Sequence, residues 1–414
     1  MMNRQLRYTL IFFLIILLGA DCAKRAITPT GEIPPKIPTI RVALTDQLSL
    51  GTLLFKDAYQ LRLEEANYLL DSTLGNFQVT WDNGQLTFRS GSRFFSFQQF
   101  ERIEFTPLNS GEFSWMDISY QGNIIFVKNQ NSVAVINELP LPDYLEGVVP
   151  HEIPSHSEEY YQAVVSQTIA AATYALYSVK NPASNYFDLY ADNRDQIYQG
   201  TRIKTPLVNK AVAESMGLFL QTTGGKLAKI QYHSSCGGML EFLPQTEQSP
   251  IQTGYIRDQL NDQVNCEISP HYRWTKQMTA QELLENLTQM GLVTSAQAQQ
   301  WKNQGYTLQL EILSRKSSGR VEKIRIELPE KDIILSEGQI RRFLSTKDGN
   351  PQFSNLFIIK SSPKNPDMFH IIGAGFGHGR GMCQWGAIGL ALRGKTYQEI
   401  LGFYYPELQL KKFY

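Results

Sequence analysis

Gly375-Phe376-Gly377-His378-Gly379-Arg380-Gly381-Met382-Cys383-Gln384-Trp385-Gly386-Ala387 is the stretch on which the reading of this chain turns. Glycines at 373, 375, 377, 379 and 381 keep a strict period of two. In an extended segment that period strips one face of side chains and projects Phe376, His378 and Arg380 from the other. Glycine weakens a strand unless something must approach its backbone closely. The rival reading is a glycine-rich bend packed tightly in the core. His378, Arg380, Gln384 and Trp385 together exceed what tight packing needs, and they suit a sugar ring better than a flat apolar ligand. A binding surface is therefore expected here.

Working outward, Met382 to Leu392 reads as a helix stopped by Gly394. Thr396-x-x-Glu399 is a capping box opening a second helix, Tyr397–Tyr405, closed by Pro406. Gly389 to Thr396 also satisfies the phosphate-loop pattern G-x4-G-K-T. That motif works only between a strand and a helix, and the residues before it read as helix, so it is set aside. Upstream, Phe357–Lys360 and Met368–Ile372 read as strands, and 308–313 with 321–327 as a strand pair. Residues 279–303 read as one or two helices, and Phe219–Gln221 and Ile230–His233 as further strands. From Ile40 to Ile136 short alternating runs dominate: Ile40–Leu44, Phe77–Trp81, Leu86–Phe88, Gly122–Val127 and Ser132–Asn137. Asn83-Gly84 is a hairpin-turn signal between two of them. The expected class is α+β, a β-rich N-terminal part with a mixed α/β core domain carrying one long amphipathic helix and a C-terminal helical pair.

At the N-terminus Arg4 and Arg7 precede an apolar stretch from Tyr8 to Leu18 and the small pair Gly19-Ala20, the form of a signal peptide over residues 1–20. The stretch is short for a transmembrane helix, which needs about 20 apolar residues. Residues 21–39, with Pro29, Pro34, Pro35 and Pro38, read as an extended tether. Cys22 sits where a lipid-modified cysteine can lie, although Asp21 before it is not the small residue such sites prefer. A lipoprotein, simple secretion and an uncleaved anchor all stay open. The chain is expected to be exported, to the periplasm or cell envelope, with membrane contact only through this segment. Its 39 basic residues against 39 acidic ones leave no polybasic field, which argues against nucleic acid as a partner.

Ser155 with Glu158 makes a capping box, and Ser157 a second candidate cap, for the long helix that Asn181-Pro182 ends. Tyr161, Val165, Thr168, Ala172, Leu176 and Val179 form its expected core-facing stripe. Just ahead, Glu152 lies between Pro150 and Pro154. The prolines predict a stiff, non-helical loop. The positive end of the following helix would then stabilise an ionised carboxylate. An acid so placed is a candidate catalytic group; the plain alternative is an exposed acid or a partner of the helix end. His233-Ser234 suggests a nucleophile pair, yet strand neighbours point to opposite faces, so the two are candidates for substrate hydrogen bonding instead. His378 is either a substrate contact or a satisfied structural histidine.

Beyond the N-terminal segment the cysteines are Cys236, Cys266 and Cys383. Export permits a disulfide, with Cys236 and Cys266 the natural pair. His233-x-x-Cys236 and Cys266-x4-His271 offer instead four zinc-type ligands. Both readings, and free thiols, stay open; any zinc would be structural. Cys383 is assigned no chemistry, and Trp274 is placed in the core.

The Gly375–Ala387 run resembles the glycine-rich signature of the SpoIID/LytB family, the stage II sporulation protein D and amidase-enhancer proteins of bacterial cell walls. Leu139-Pro140-Leu141-Pro142-Asp143-Tyr144-Leu145-Glu146-Gly147-Val148-Val149-Pro150-His151-Glu152-Ile153-Pro154 and Tyr232-His233-Ser234-Ser235-Cys236-Gly237-Gly238 resemble it too, in family order. The likeness spans about residues 41–414 and is slight over 276–345. It implies a β-rich part over 40–136, then a SpoIID-like catalytic domain over 137–414 with a divergent insertion at about 276–345.

That resemblance implies a lytic transglycosylase acting on peptidoglycan glycan strands, in the family on strands stripped of their stem peptides, with Glu152 in the place of the catalytic Glu. A hydrolytic glycosidase uses two carboxyls. Here the attacking oxygen is the C6 hydroxyl of N-acetylmuramic acid itself, so one carboxyl serves first as general acid and then as base, leaving a 1,6-anhydro end. The acid step needs a raised pKa, which burial under Trp385 or Tyr144 would supply. His233, Ser234, His378, Gln384 and Trp385 are the expected substrate contacts. Gln167 and Tyr174, seven apart on the long helix, correspond to family positions; Gln196 and Tyr198 match a weaker segment. The chain departs from the family pattern at Ala172, usually Arg, at Cys383, usually Ser, and at His151, commonly a small residue. No cofactor is required. The resemblance carries a rival as well, a non-catalytic glycan-binding enhancer of a cell-wall amidase. A zinc amidase using His233 and His271 lacks an open metal site with a general base.

Overall fold

The computed structural model describes residues 37–63, 66–109, 111–242, 254–346, 352–362 and 364–413. The signal peptide, nearly all of the tether and Cys22 lie outside the described residues. Among the described residues no helix is long and apolar enough to cross a membrane.

Alternating apolar and polar residues between 39 and 140 build two facing sheets. One has the order Leu189–Tyr190, Thr39–Thr45, Ser132–Pro140, Asn123–Asn129, Arg102–Pro107, Tyr59–Leu63, Ala66–Leu70. The other runs Ile118–Gln121, Glu112–Trp115, Leu50–Phe55, Phe77–Asp82, Gln85–Ser90, Arg93–Phe97. Between them lies an aromatic core in which the Phe88 ring stands 5.0 Å from Phe126 and 5.7 Å from Phe105. Asp82 pairs with Gln85 across Asn83-Gly84, as the hairpin signal requires. Ser132–Pro140 is apolar on both faces because Val133 and Val135 join this core while Ala134 and Ile136 pack with Phe187 behind the sheet. Phe187 and the short parallel strand after it are held by Asp188, whose carboxylate takes the Arg41 guanidinium at 2.6 Å.

The first helix, α1, spans Leu141–Glu152. The stiff loop expected around Glu152 is therefore a helix, and the prolines are compatible with it. Pro140 is the N-cap and Pro142 falls in the first turn, where an N–H has no helical partner anyway. Pro150 sits in the last turn and removes a single bond, the one to the Glu146 carbonyl. Glu152 is the last helical residue.

The long helix α2, Tyr161–Lys180, follows a short 3-10 turn, Glu158–Tyr160. Ser157 caps that turn, accepting from the Glu159 N–H at 3.4 Å, whereas Ser155 receives a bond from Thr205 instead. The expected one-sided stripe is corrected to burial almost all round: Val164, Ser166, Gln167, Ala170 and Thr173 are as buried as the stripe residues. The reason is that α1, α3 (Pro206–Ser215), the strand Leu218–Gln221 and the terminal helices all pack on it. Its buried Ser166, Thr168 and Thr173 hydroxyls are satisfied by carbonyls one turn back.

Residues from Trp274 to Ile371 form a second apolar core. It joins α4 (Ala280–Gln289), α5 (Ser295–Asn303) and α6 (Glu337–Phe343) to two three-stranded sheets. The chain then returns to the first core through α7 (Gln384–Leu392) and α8 (Tyr397–Tyr404), the latter opened by the Thr396–Glu399 capping box. The phosphate-loop lookalike is thus the end of α7 and the cap of α8. The molecule is α+β, with its β-rich part first.

Candidate active site

Two short strands, Tyr232–His233 and Met382–Cys383, pair in parallel and bring α7 against the end of α1. Around that seam Glu152 is half-buried and takes two hydrogen bonds. The Ile197 N–H donates to Oε1 at 3.3 Å and Gln384 Nε2 donates to Oε2 at 3.3 Å, while the Tyr232 phenol lies close enough to favour the charged form. The Tyr232 oxygen itself accepts from Gln196 Nε2 at 2.7 Å, and Gln196 Oε1 accepts from the buried Tyr144 phenol at 2.9 Å. A chain of hydrogen bonds therefore runs from Tyr144 through Gln196 to Tyr232, beside the carboxylate. Gln384 Nε2 also lies 3.5 Å from Gln167 Oε1. Tyr174 donates to Asp195 at 2.6 Å, near enough for the Glu152 charge to push its phenol up, after burial and Asp195 have done most of it.

Burial raises the Glu152 pKa above the ordinary carboxylate value, and its neighbours Ile197, Gln384 and Tyr232 only partly oppose it. All groups acting on it are neutral. Its helical position works in the same direction as burial. Glu152 stands at the C-terminal end of α1, where unpaired carbonyls make the potential negative. The expectation that a helix N-terminus would stabilise its charge is overturned, since α2 starts only at Tyr161 and Glu152 belongs to the helix before it.

The glycine ribbon also differs from expectation. The strand Asn365–Gly373 ends before it, and Gly375, Gly377, Gly379 and Gly381 all have positive φ. A Cβ on Gly379 would stand 2.1 Å from Arg320 Cζ, and one on Gly381 would stand 1.9 Å from the Gln231 carbonyl oxygen. The bare backbone is approached by the protein itself, so for the glycines the tight-bend reading is the correct one. Arg320, almost fully buried, donates to the Met239 and Cys236 carbonyls beneath the ribbon.

Strand alternation separates the expected contacts into two groups. Tyr232 faces Glu152, and His233 faces away from it, its Nδ1 lying 3.0 Å from the Arg380 carbonyl oxygen. His378 lies with His233, ring centroids 5.4 Å apart, and opens on a cleft of about 150 Å³ lined by Glu241, Lys316, Glu337 and Arg341. Glu152, Gln384 and Gln167 are brought together, with Tyr174 close by; His233 and His378 are not part of that group. Ser234 offers its carbonyl to the Trp385 N–H at 3.0 Å, and Trp385 is half-buried against the main core beside Gln384. Tyr144 lies fully buried behind Glu152 and cannot cover it. Trp274 is in the second core, donating to the Gly375 carbonyl. Tyr198 bonds Asn137 rather than the site. Sequence reasoning missed Tyr232, Asp195 and the Ile197 N–H. The alternation that parts His233 from Ser234 already puts Tyr232 opposite His233, which was the available signal.

Of the three readings left open for the cysteines, the structure shows free thiols. Cys236 and Cys266 are free thiols, their Sγ atoms 3.5 Å apart. The histidines of the proposed zinc set are elsewhere: His233 is held by Arg380, and His271 packs on Phe353 and Phe376 at 4.7 and 5.0 Å. Cys383 is buried beside both thiols.

Residues 129–221 match the family described as Stage II sporulation protein, and residues 233–381 match a domain of unknown function, DUF8618. An uncharacterised protein of Brachyspira hyodysenteriae is 30% identical, over 71% of this chain and 72% of its own. The stage II sporulation protein D of Bacillus subtilis is 25% identical over 67% of this chain and 76% of its own. The amidase enhancer of the same organism is 25% identical over 65% of this chain, which spans only 40% of that relative's length. The chain belongs to the SpoIID/LytB family, and its role is related to the bacterial cell wall.

Proposed function

We propose that this protein is a peptidoglycan lytic transglycosylase in the cell envelope, cutting between N-acetylmuramic acid and N-acetylglucosamine with Glu152 as its one acid–base group. The observation that carries this reading is a single half-buried carboxyl whose proton affinity is raised by burial and whose partners are all neutral. A carboxyl in an ion pair would be locked as the anion and could not open the reaction. Glu152 protonates the bridging oxygen as the C1–O bond breaks. The C6 hydroxyl of the same muramyl residue then bonds to C1 and returns its proton to Glu152, closing the 1,6-anhydro ring. In the interval the Ile197 N–H and Gln384 hold the carboxylate, with the Tyr232 phenol beside it. Trp385 and Ser234 border this point and would meet the sugar, with the fully buried Gln167 behind Gln384, and the preferred substrate is strands without stem peptides.

A second reading, a glycan-binding enhancer of an amidase, is favoured by the likeness to the Bacillus subtilis amidase enhancer. Mass spectrometry of peptide-free glycan strands treated with the protein separates them. Anhydro-muramyl ends from wild type, reduced by about 10²–10⁴ in Glu152→Gln, are expected. Absence of such ends, with undiminished stimulation of an amidase by the variant, would replace the enzyme by the enhancer.

A further inference from the structure

We propose that Cys236, Cys266, Cys383 and Asp258 bind one zinc ion as a structural site. The four residues come from three separate segments. Cys236 follows the Tyr232–His233 strand, Asp258 and Cys266 flank the small hairpin Gln259–Val264, and Cys383 is the N-cap of α7. All four side chains are fully buried, and their donor atoms lie within 4.8 Å of one another.

The spacing suits a metal better than a covalent bond. Zn–S bonds of about 2.3 Å in a tetrahedron put sulfurs about 3.8 Å apart. The 3.5 Å between Cys236 and Cys266 is close to that edge and far from the roughly 2.05 Å of a disulfide. Asp258 is oriented as a one-oxygen ligand. Its Oδ2 lies 2.9 Å from Cys236 Sγ, while its Oδ1 is occupied by Asn265 Nδ2 and the Tyr404 hydroxyl, both at 2.8 Å. Outer partners of this kind fix a ligating carboxylate. The sulfurs accept backbone N–H groups as well: Cys383 from Cys236 and Gly386 at 3.2 and 3.3 Å, and Cys236 from Gly238 at 3.3 Å.

These partners are dipoles, not cations. Metal binding would deprotonate the thiols, and the charge of the resulting thiolates and carboxylate, which neutral dipoles do not offset away from water, is what a divalent ion balances. A sulfur-rich, four-ligand set selects zinc over calcium or magnesium and leaves no open position for catalysis. Its consequence for the site is mechanical. Cys383 directly precedes Gln384, so the ion would pin the residue that bonds Glu152.

The test is metal content, which does not depend on any glycan being cut. The full chain, purified without chelator and reconstituted with zinc, is expected to carry about one zinc per molecule by plasma mass spectrometry. Cobalt in its place is expected to give sulfur-to-metal charge-transfer bands and the strong visible bands of tetrahedral coordination. Asp258→Asn and Cys266→Ser should each lower the zinc retained at least tenfold against a competing chelator. Should these variants fail to fold, chelator added to wild type should strip the metal and lower Tm. A native chain that takes up no zinc, an intact mass two hydrogens short with Cys236 joined to Cys266, or zinc retention unchanged in both variants would overturn the proposal.

Discussion

Replacing Tyr232 by Phe removes one oxygen from between two partners, and the structure says what each loses. Gln196 Nε2 is left with the Ala171 carbonyl at 3.4 Å, a weak acceptor for a side chain that is almost fully buried. A stranded buried donor costs about 1–3 kcal/mol, so urea denaturation should show about 2 kcal/mol of lost stability. Glu152 loses a polar neighbour that favours its anion, so its pKa moves further up. A general acid must be protonated to act, and the alkaline limb of kcat/KM reports the loss of that proton. Release of anhydro ends from stripped strands, followed across pH, should therefore persist to higher pH in Tyr232→Phe than in wild type. An alkaline limb displaced toward acid, or an unchanged limb with unchanged stability, would refute the hydrogen-bond chain and the role given to it.

Glu152→Gln has a stability consequence apart from activity. The folded carboxyl holds its proton more tightly than the unfolded one, so wild-type stability falls as pH rises from about 4.5 through the raised folded value. The variant lacks that loss and should be at least as stable as wild type at pH 7 but not near pH 3; denaturation at both values checks it. Gly381→Ala combines a positive φ of 64° with a Cβ 1.9 Å from the Gln231 oxygen. It should lose about 3 kcal/mol, and a loss under about 1 would mean the ribbon can relax. Arg41→Ala leaves the buried Asp188 carboxylate without its guanidinium and should cost about 3 kcal/mol by denaturation, with Arg41→Lys recovering part of it.

The strands and most helices were legible because their signals are local. The Asn83-Gly84 turn, the alternation at Phe77–Trp81 and Leu86–Phe88, and the Thr396–Glu399 capping box each appear where the residues put them. α1 was not legible, since proline statistics speak for interior helix positions and these prolines occupy the cap, the first turn and the last turn. The stripe on α2 was misread for a different reason: periodicity shows which side must be buried, not how many neighbours will arrive. The glycine ribbon failed similarly, because a missing side chain invites any backbone, and Gln231 and Arg320 lie far from it in the chain. Glu152 was found by motif, whereas Tyr232 and Gln384 come together beside it only through the Tyr232–Met382 seam. Asp258 could not be found at all, having no spacing relation to the cysteines that surround it.

That seam closes a long excursion with only two residue pairs, Tyr232 with Met382 and His233 with Cys383. Joining ends about 150 residues apart is entropically unfavourable, by an amount growing as 1.5 RT ln n. Yet Trp274–Thr279 zips along Asn365–Gly373, so a prefolded insertion leaves about 50 slack residues and lowers the closure penalty by about 1 kcal/mol. The unit between 274 and 373 thus acts as a clasp, and its assembly should precede the meeting of Gln384 with Glu152. Closure of the Glu152 site would then be the last event of maturation, reached after both cores have formed.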